Sequence, residues 1–320
     1  MHRSVRRGSL LRTRTARARS HFLAAHSHLL SASAGHQCGV AEGTRAVDTV
    51  DAVVLRCSRQ SARVRVGATD ERITVLANDL WHVMPGHMVT LALEQRWQHR
   101  GQLYAAGELR NPRIDVPALG LPPLKMEERG PLETAGAPEE SKSSEGEPGA
   151  PADYTPLRAP LVGVARAAYE MEQVLPEVMR GSGFDPILAA VQRKNRGDAC
   201  SAAELLKEVL VEDLRCLDAH AHLGNIVFPS YPEHALIHYE IGVAIGEHAL
   251  GPEFAGALPW SYMDNRPFLR CLLGRALCLW RLGRMGEAQD TFERTLWLDP
   301  LDGQGARRSW LEVRRSARGD

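Results

Sequence analysis

The sequence has no C-x-x-C pair, no acidic residue before Glu42, no net charge and no long apolar run. Each absence excludes something. Its six cysteines, Cys38, Cys57, Cys200, Cys216, Cys271 and Cys278, are scattered through unlike segments. Without paired spacing they fit a reduced compartment rather than a disulfide framework, and read as small buried hydrophobes. Lys plus Arg and Asp plus Glu number 39 each, so no global field steers the chain to nucleic acid or to an anionic membrane. No apolar run approaches the roughly 20 residues of a membrane span, and a soluble, cytoplasmic chain is expected. There is no G-x-S-x-G elbow and no phosphate loop with its Lys followed by Ser or Thr. Neither an enzyme nor a cofactor is expected.

Residues 1–44 stand apart. "MHRSVRRGSLLRTRTARARS" is rich in Arg, Ser and Ala, the composition of an organelle transit peptide, of a disordered tail or of a misassigned start. A secretory signal is not indicated, because His26 and His28 interrupt "FLAAHSHLLSASAG". Residues 45–115 alternate apolar and polar side chains in "DAVVLRC", "ARVRVG", "RITVLA", "HMVTLALEQ" and "QLYAAGEL", bounded by Gly, Pro, Asn or Asp. Five short strands in this length predict a small β-barrel, SH3-like or OB-like. Residues 116–160 include "ERGPLETAGAPEESKSSEGEPGAPADYTP", hold few side chains able to fill a core, and read as an acidic disordered linker. From 161 to 320 the spacing turns helical, beginning with "LVGVARAAYEMEQVLPEVMR". The predicted fold class is α+β multidomain, a barrel followed by an all-α repeat domain.

One stretch carries a repeat register. In "CLWRLGRMGEAQDTFERTLWLDP" the small Ala276 and Ala288 stand where two antiparallel helices would meet, Gly283 ends the first helix in a left-handed turn, and Pro300 stops the second. The register recurs around Leu223, Gly224, Ala235, Tyr239 and Gly242, and more weakly around Ala190, Gly197, Ala202 and Leu206. It predicts units near 183–216, 217–250 and 269–302, closed by a capping helix in "GARRSWLEVRRSAR". An aromatic insert, residues 251–268, separates the last two units. The pattern resembles the tetratricopeptide repeat (TPR). With "NRPFLR", "CLWRLGR" and "LWLDP", residues 160–308 are similar to a family of uncharacterised bacterial TPR proteins and to the helical core of the suppressor of tumorigenicity 7 proteins. The resemblance implies a short helical stack that binds a protein or peptide in a concave groove. It brings no catalytic residues.

Transferred onto this sequence, the groove positions include Lys194, Asn195, Asn225, Phe228, Arg270, Trp280 and Arg281, a mixed apolar and basic set. Only Asn225 matches the residues with which TPR domains clamp a chaperone's C-terminal carboxylate, so that ligand is not implied. For Phe228 and Trp280, packing against neighbouring units competes evenly with ligand contact. His234 and His238 have an i, i+4 spacing that two metal ligands can use, but no further ligands follow by motif, and they read as structural or solvent-facing. In the barrel, "RWQHRGQLY" interleaves Arg96, Trp97, Arg100 and Tyr104 as single-strand binders do. Asp48, Asp51, Asp70, Glu71, Asp79 and Glu94 almost balance the barrel's arginines, so nucleic acid is an unlooked-for partner. The resulting reading is a non-enzymatic scaffold or adaptor for a protein or peptide. The alternative is a nucleic-acid-associated adaptor using the barrel. A weaker third is an enzyme with a site under the 251–268 insert.

Overall fold

The computed structural model describes residues 49–318, apart from 59, 68, 79, 81–82, 133–165 and 176–182. Five strands come first: β1 (Thr49–Cys57), β2 (Ser61–Val66), β3 (Arg72–Leu76), β4 (His87–His99) and β5 (Gln102–Ile114). They close a barrel in the order β1-β2-β3-β5-β4. The β3–β5 pairing is parallel and the other pairings are antiparallel. Period-two alternation sends Val54, Val64, Ile73, Val75, Leu91 and Leu109 inward, where they are buried together. All five strands fall where the alternation placed them.

The chain does not become a linker at residue 116. A short helix, α1 (Val116–Leu119), is capped by Asp115 and buries Val116 and Leu119, and β6 (Met126–Pro131) pairs antiparallel with β7 (Ala167–Met171). The linker reading is therefore corrected for residues 116–132; three buried apolar side chains, Val116, Leu119 and Leu124, suffice to hold this segment down. Residues 1–44 and 133–160 of the sequence reading lie outside the described residues. Within the 161–180 stretch the helical reading is corrected at Ala167–Met171; residues 161–165 and 176–180 lie outside the described residues. Ala167–Met171 is a strand because it has two partners, β6 on one side and a parallel bridge from Ala168 to Ala257 on the other.

The insert between residues 251 and 268 supplies that bridge and is locked in place by two buried polar side chains. Asn265 accepts from Met171 N at 2.8 Å and donates to the carbonyls of Tyr169 at 2.9 Å and Pro259 at 3.1 Å. Arg166 donates to the carbonyls of Ala255, Gly256 and Trp297 while its guanidinium lies 4.1 Å above the Trp297 ring. A buried polar group is tolerable only when its hydrogen bonds are filled, and here they are filled by backbone.

Seven helices follow: α2 (Pro186–Asn195), α3 (Ala199–Glu212), α4 (Leu217–Val227), α5 (Pro232–Leu250), α6 (Arg266–Arg281), α7 (Met285–Leu298) and α8 (Ala306–Arg318). Their starts are set locally. Asp185 accepts from the Ile187 and Leu188 amides, Asp198 from Ser201, and Pro186, Pro232 and Pro267 occupy first-turn positions where no intrahelical donor is missed. Gly283, at φ 75°, turns α6 back into α7, a conformation that a side chain would strain. Each helix packs on the next, and α4 also lies against α6, so the first helices of successive pairs form an inner layer.

The barrel is docked on this stack rather than merely joined to it. Met84, Ile114, Val116 and Leu124 share one apolar cluster with Leu217, Ile241 and Ile245 of α4 and α5. His87 at the start of β4, His220 on α4 and His238 on α5 are all buried. Among the described residues no helix is long and apolar enough to cross a membrane.

Candidate functional groove

Among the described residues, the helical layers carry a smaller and a larger cleft. The smaller, about 210 Å³, lies between α4 and α6 and is lined by Asn225, Phe228, Tyr239, Arg270, Leu273, Gly274, Leu277 and Gln304. Its floor is built by a close approach. The Tyr239 ring, carried on α5, rests against the Cα atoms of Gly224 on α4 and Gly274 on α6, where a Cβ at either position would run into it. Its hydroxyl donates to Asn225 Oδ1 at 2.7 Å, and burial pushes the phenol well above its ordinary range. Phe228, Leu273 and Leu277 complete an apolar wall that also leans on the core of the last two helical pairs.

Charge is arranged around this floor. Arg270 Nη1 donates to Asp218 Oδ1 at 3.0 Å, and its guanidinium lies 5.6 Å over the Trp260 ring. Asp218 is buried and faces Gln173 and His222 as well, each at 3.5 Å. Burial holds His222 below its ordinary value, with Asp218 pulling the other way and Arg270 and Lys194 reinforcing the shift. Lys194 Nζ donates to the Asn225 carbonyl at 3.4 Å. At the far end Arg281 donates to the Phe228 carbonyl at 2.9 Å and covers the Phe228 ring at 4.9 Å. Three cations thus surround an apolar floor that has one carboxylate, already paired.

Three of the seven residues chosen from the repeat register, Asn225, Phe228 and Arg270, line this cavity. Lys194 and Arg281 touch it through Asn225 and Phe228. The other two stand apart: Asn195 is exposed at the end of α2, and Trp280 is half-buried against the apolar core. Tyr239 entered the register only as a packing residue. Gln304, which donates to the Leu269 carbonyl, precedes α8 and had no signal of its own.

The larger cleft, about 400 Å³, is lined by Ile114 and by α5, α6 and α7. Its two arginines are already matched: Arg294 makes a two-pronged contact with Glu247 at 2.8–2.9 Å, and Arg275 lies 3.9 Å from Glu240 and donates to Thr291 at 2.5 Å. Burial raises the Glu240 carboxyl, with Arg275 opposing. Closed ion pairs leave a ligand less to bind than the smaller groove, where only Arg270 is ion-paired and Lys194 and Arg281 donate to backbone carbonyls alone.

Among the described residues no three His, Cys, Asp or Glu side chains are grouped to hold a metal. His234 stacks on Tyr231 at 5.3 Å, whereas His238 is buried with Nδ1 unpartnered. Cys57, Cys200, Cys216, Cys271 and Cys278 are free thiols. Burial pushes Cys57 up to about 11 and Cys216 and Cys278 up to about 12, far from a reactive thiolate, while Cys200 departs from the buried reading by being exposed. Neither a protein-family model nor a curated protein matches this chain.

Proposed function

We propose that the chain is a non-enzymatic adaptor that binds an extended segment of a partner protein in the groove between α4 and α6. The observation that carries this reading is the groove itself: an apolar floor of Tyr239, Phe228, Leu273 and Leu277 beneath the cations Lys194, Arg270 and Arg281. Such a surface offers a peptide apolar pockets for side chains and guanidinium donors for carbonyls or carboxylates. On this reading the three helical pairs are TPR-like units, supported by the buried Ala276 and Ala288 and by the left-handed Gly197 and Gly283 between paired helices. The barrel is OB-like rather than SH3-like, supported by its β1-β2-β3-β5-β4 order with β3 parallel to β5. Free thiols favour a reducing compartment such as the cytoplasm.

The test is selection of peptides from a random display library on the full chain, followed by titration of the winners against wild type and Leu277→Asp. Leu277 is half-buried on the groove wall, so a carboxylate there opposes an apolar ligand without emptying the core. The expected result is at least a tenfold loss of affinity with a retained thermal melt. Equal binding to both proteins moves the site elsewhere.

A further inference from the structure

The barrel's outer face carries a row of side chains that the overall charge count conceals. Strand register places Arg56 of β1 directly opposite Arg63 of β2, Arg63 opposite Thr74 of β3, Thr74 beside Tyr104 of β5, and Tyr104 opposite Trp97 of β4. The five residues form one continuous line across all five strands. Each alternates with an inward neighbour such as Val64, Ile73 or Val75, so the line lies on the outside. With strands about 4.8 Å apart, it runs about 19 Å measured around the wall of the closed barrel.

Among the described residues, the barrel's carboxylates are not on that line. Asp51 pairs with Arg113, Asp70 with Arg65, Glu71 with Arg96 and Glu108 with Arg110. Glu94 sits at the bulge between Leu93 and Gln95, outside the paired register. What remains is cationic: Arg56, Arg63 and Arg72 make no ion pair among the described residues. Two like charges directly across a strand pair repel each other, and Arg56 and Arg63 are placed so with no carboxylate between them. An anion spanning them relieves that repulsion. At the other end of the row Trp97 and Tyr104 stack with ring centroids 5.9 Å apart and 14° between planes, both half-buried, with the His99 ring edge-on to Tyr104 at 6.4 Å.

Unpaired guanidiniums at one end and a rigid aromatic pair at the other are what a single strand needs, phosphates for the first and base faces for the second. We propose that this outer row binds single-stranded nucleic acid, as a second surface beyond the peptide groove. Nothing in the row reads base edges in a fixed pattern, so binding is not sequence-specific and depends on salt.

The experiment is fluorescence anisotropy of the full chain with a labelled oligothymidylate of about 20 nucleotides, longer than the about 4–16 nucleotides such a barrel covers. Arg56→Ala/Arg63→Ala should weaken binding at least tenfold and lower the slope of log affinity against log salt by about 1 to 2. Trp97→Leu should weaken it several-fold, Trp97→Phe should restore most of the loss, and thermal melts should show every variant folded. The Arg-rich segment before residue 45 could hold an oligonucleotide by charge alone. Unchanged affinity in the double arginine variant would assign binding there and overturn the proposal. So would absence of binding by wild type at low salt, or equal affinity for duplex and single strand with no effect of Trp97→Leu, which marks a mere polyanion surface.

Discussion

The Tyr239 hydroxyl donates to Asn225 Oδ1 at 2.7 Å from a ring pressed between Gly224 and Gly274. One side chain on α5 thereby sets the spacing of α4 and α6 and the floor of the groove between them. The proposed binding surface and the packing interface are the same object here, so variants must be chosen to separate them.

Two substitutions do so. Tyr239→Phe keeps the ring and removes the donor to Asn225, and should cost about 1 to 2 kcal/mol. Gly274→Ala places a methyl against the ring and should cost about 1 to 3 kcal/mol by overpacking. Urea unfolding of both proteins measures this. If Gly274→Ala is as stable as wild type, the close approach of α4, α5 and α6 is wrong.

Where the sequence was legible and where it was not follows from the range of the forces involved. The barrel strands and the helical pairs rest on local periodicity, visible in "RITVLA" or in the Ala276 and Ala288 spacing. Ala167–Met171 could not be read as a strand because its partners, β6 and Ala257, lie far away in the chain. The same holds for α1 and β6: Val116 and Met126 gain their value against α4 and α5, and Leu119 against Val53 and Met88 of the barrel. Within the groove, helical register brought Asn225, Phe228 and Arg270 together, but a half-turn decides whether Trp280 meets ligand or core, and it met core. The arginine row needed strand pairing, since net charge near zero says nothing about which carboxylate faces which guanidinium.

Asn265 is the clearest anchor of the insert. Asn265→Ala leaves the Met171 amide and the Tyr169 and Pro259 carbonyls without their partner in a buried site, and should cost about 2 to 4 kcal/mol. Amide hydrogen exchange should show faster exchange at Met171 before global unfolding. Unchanged protection there would mean the β6–β7 pair holds without the insert.

The histidines at the barrel junction make stability depend on pH. Burial, opposed by the Leu214 hydrogen bond and aided by nearby His87, lowers His220 from 6.5 to about 4, and burial with neighbouring His220, Lys207, His87 and His234 lowers His238 to about 3. In the folded state both stay neutral, so between about pH 6.5 and 4 the unfolded chain binds more protons. Stability is then full above about pH 6.5 and falls as pH drops through that window, by up to about 1.4 kcal/mol per pH unit for each histidine. Urea midpoints at pH 7.5 and 5.5 should differ in this direction, and His238→Gln should flatten the difference. A midpoint that rises on acidification contradicts the buried, neutral assignment.

Arg281 gives the cleanest probe of the groove. It is exposed, it closes the far end by donating to the Phe228 carbonyl at 2.9 Å, and it lies over the Phe228 ring without entering the core. Exposed contacts of this kind add little to stability, whereas an arginine beside an apolar floor is a frequent centre of interface energy. Arg281→Ala should therefore leave the melting temperature within about 2 °C of wild type, the shift expected for a change of well under 1 kcal/mol in a chain of this size. It should weaken a groove-selected peptide by about 1 kcal/mol or more, which isothermal titration resolves. Phe228→Ala, measured alongside, separates the two halves of the contact. If Phe228→Ala weakens the peptide and Arg281→Ala does not, the ring alone meets the ligand and Arg281 serves only to hold the end of α4. If neither changes affinity while both proteins melt like wild type, the peptide does not lie between α4 and α6.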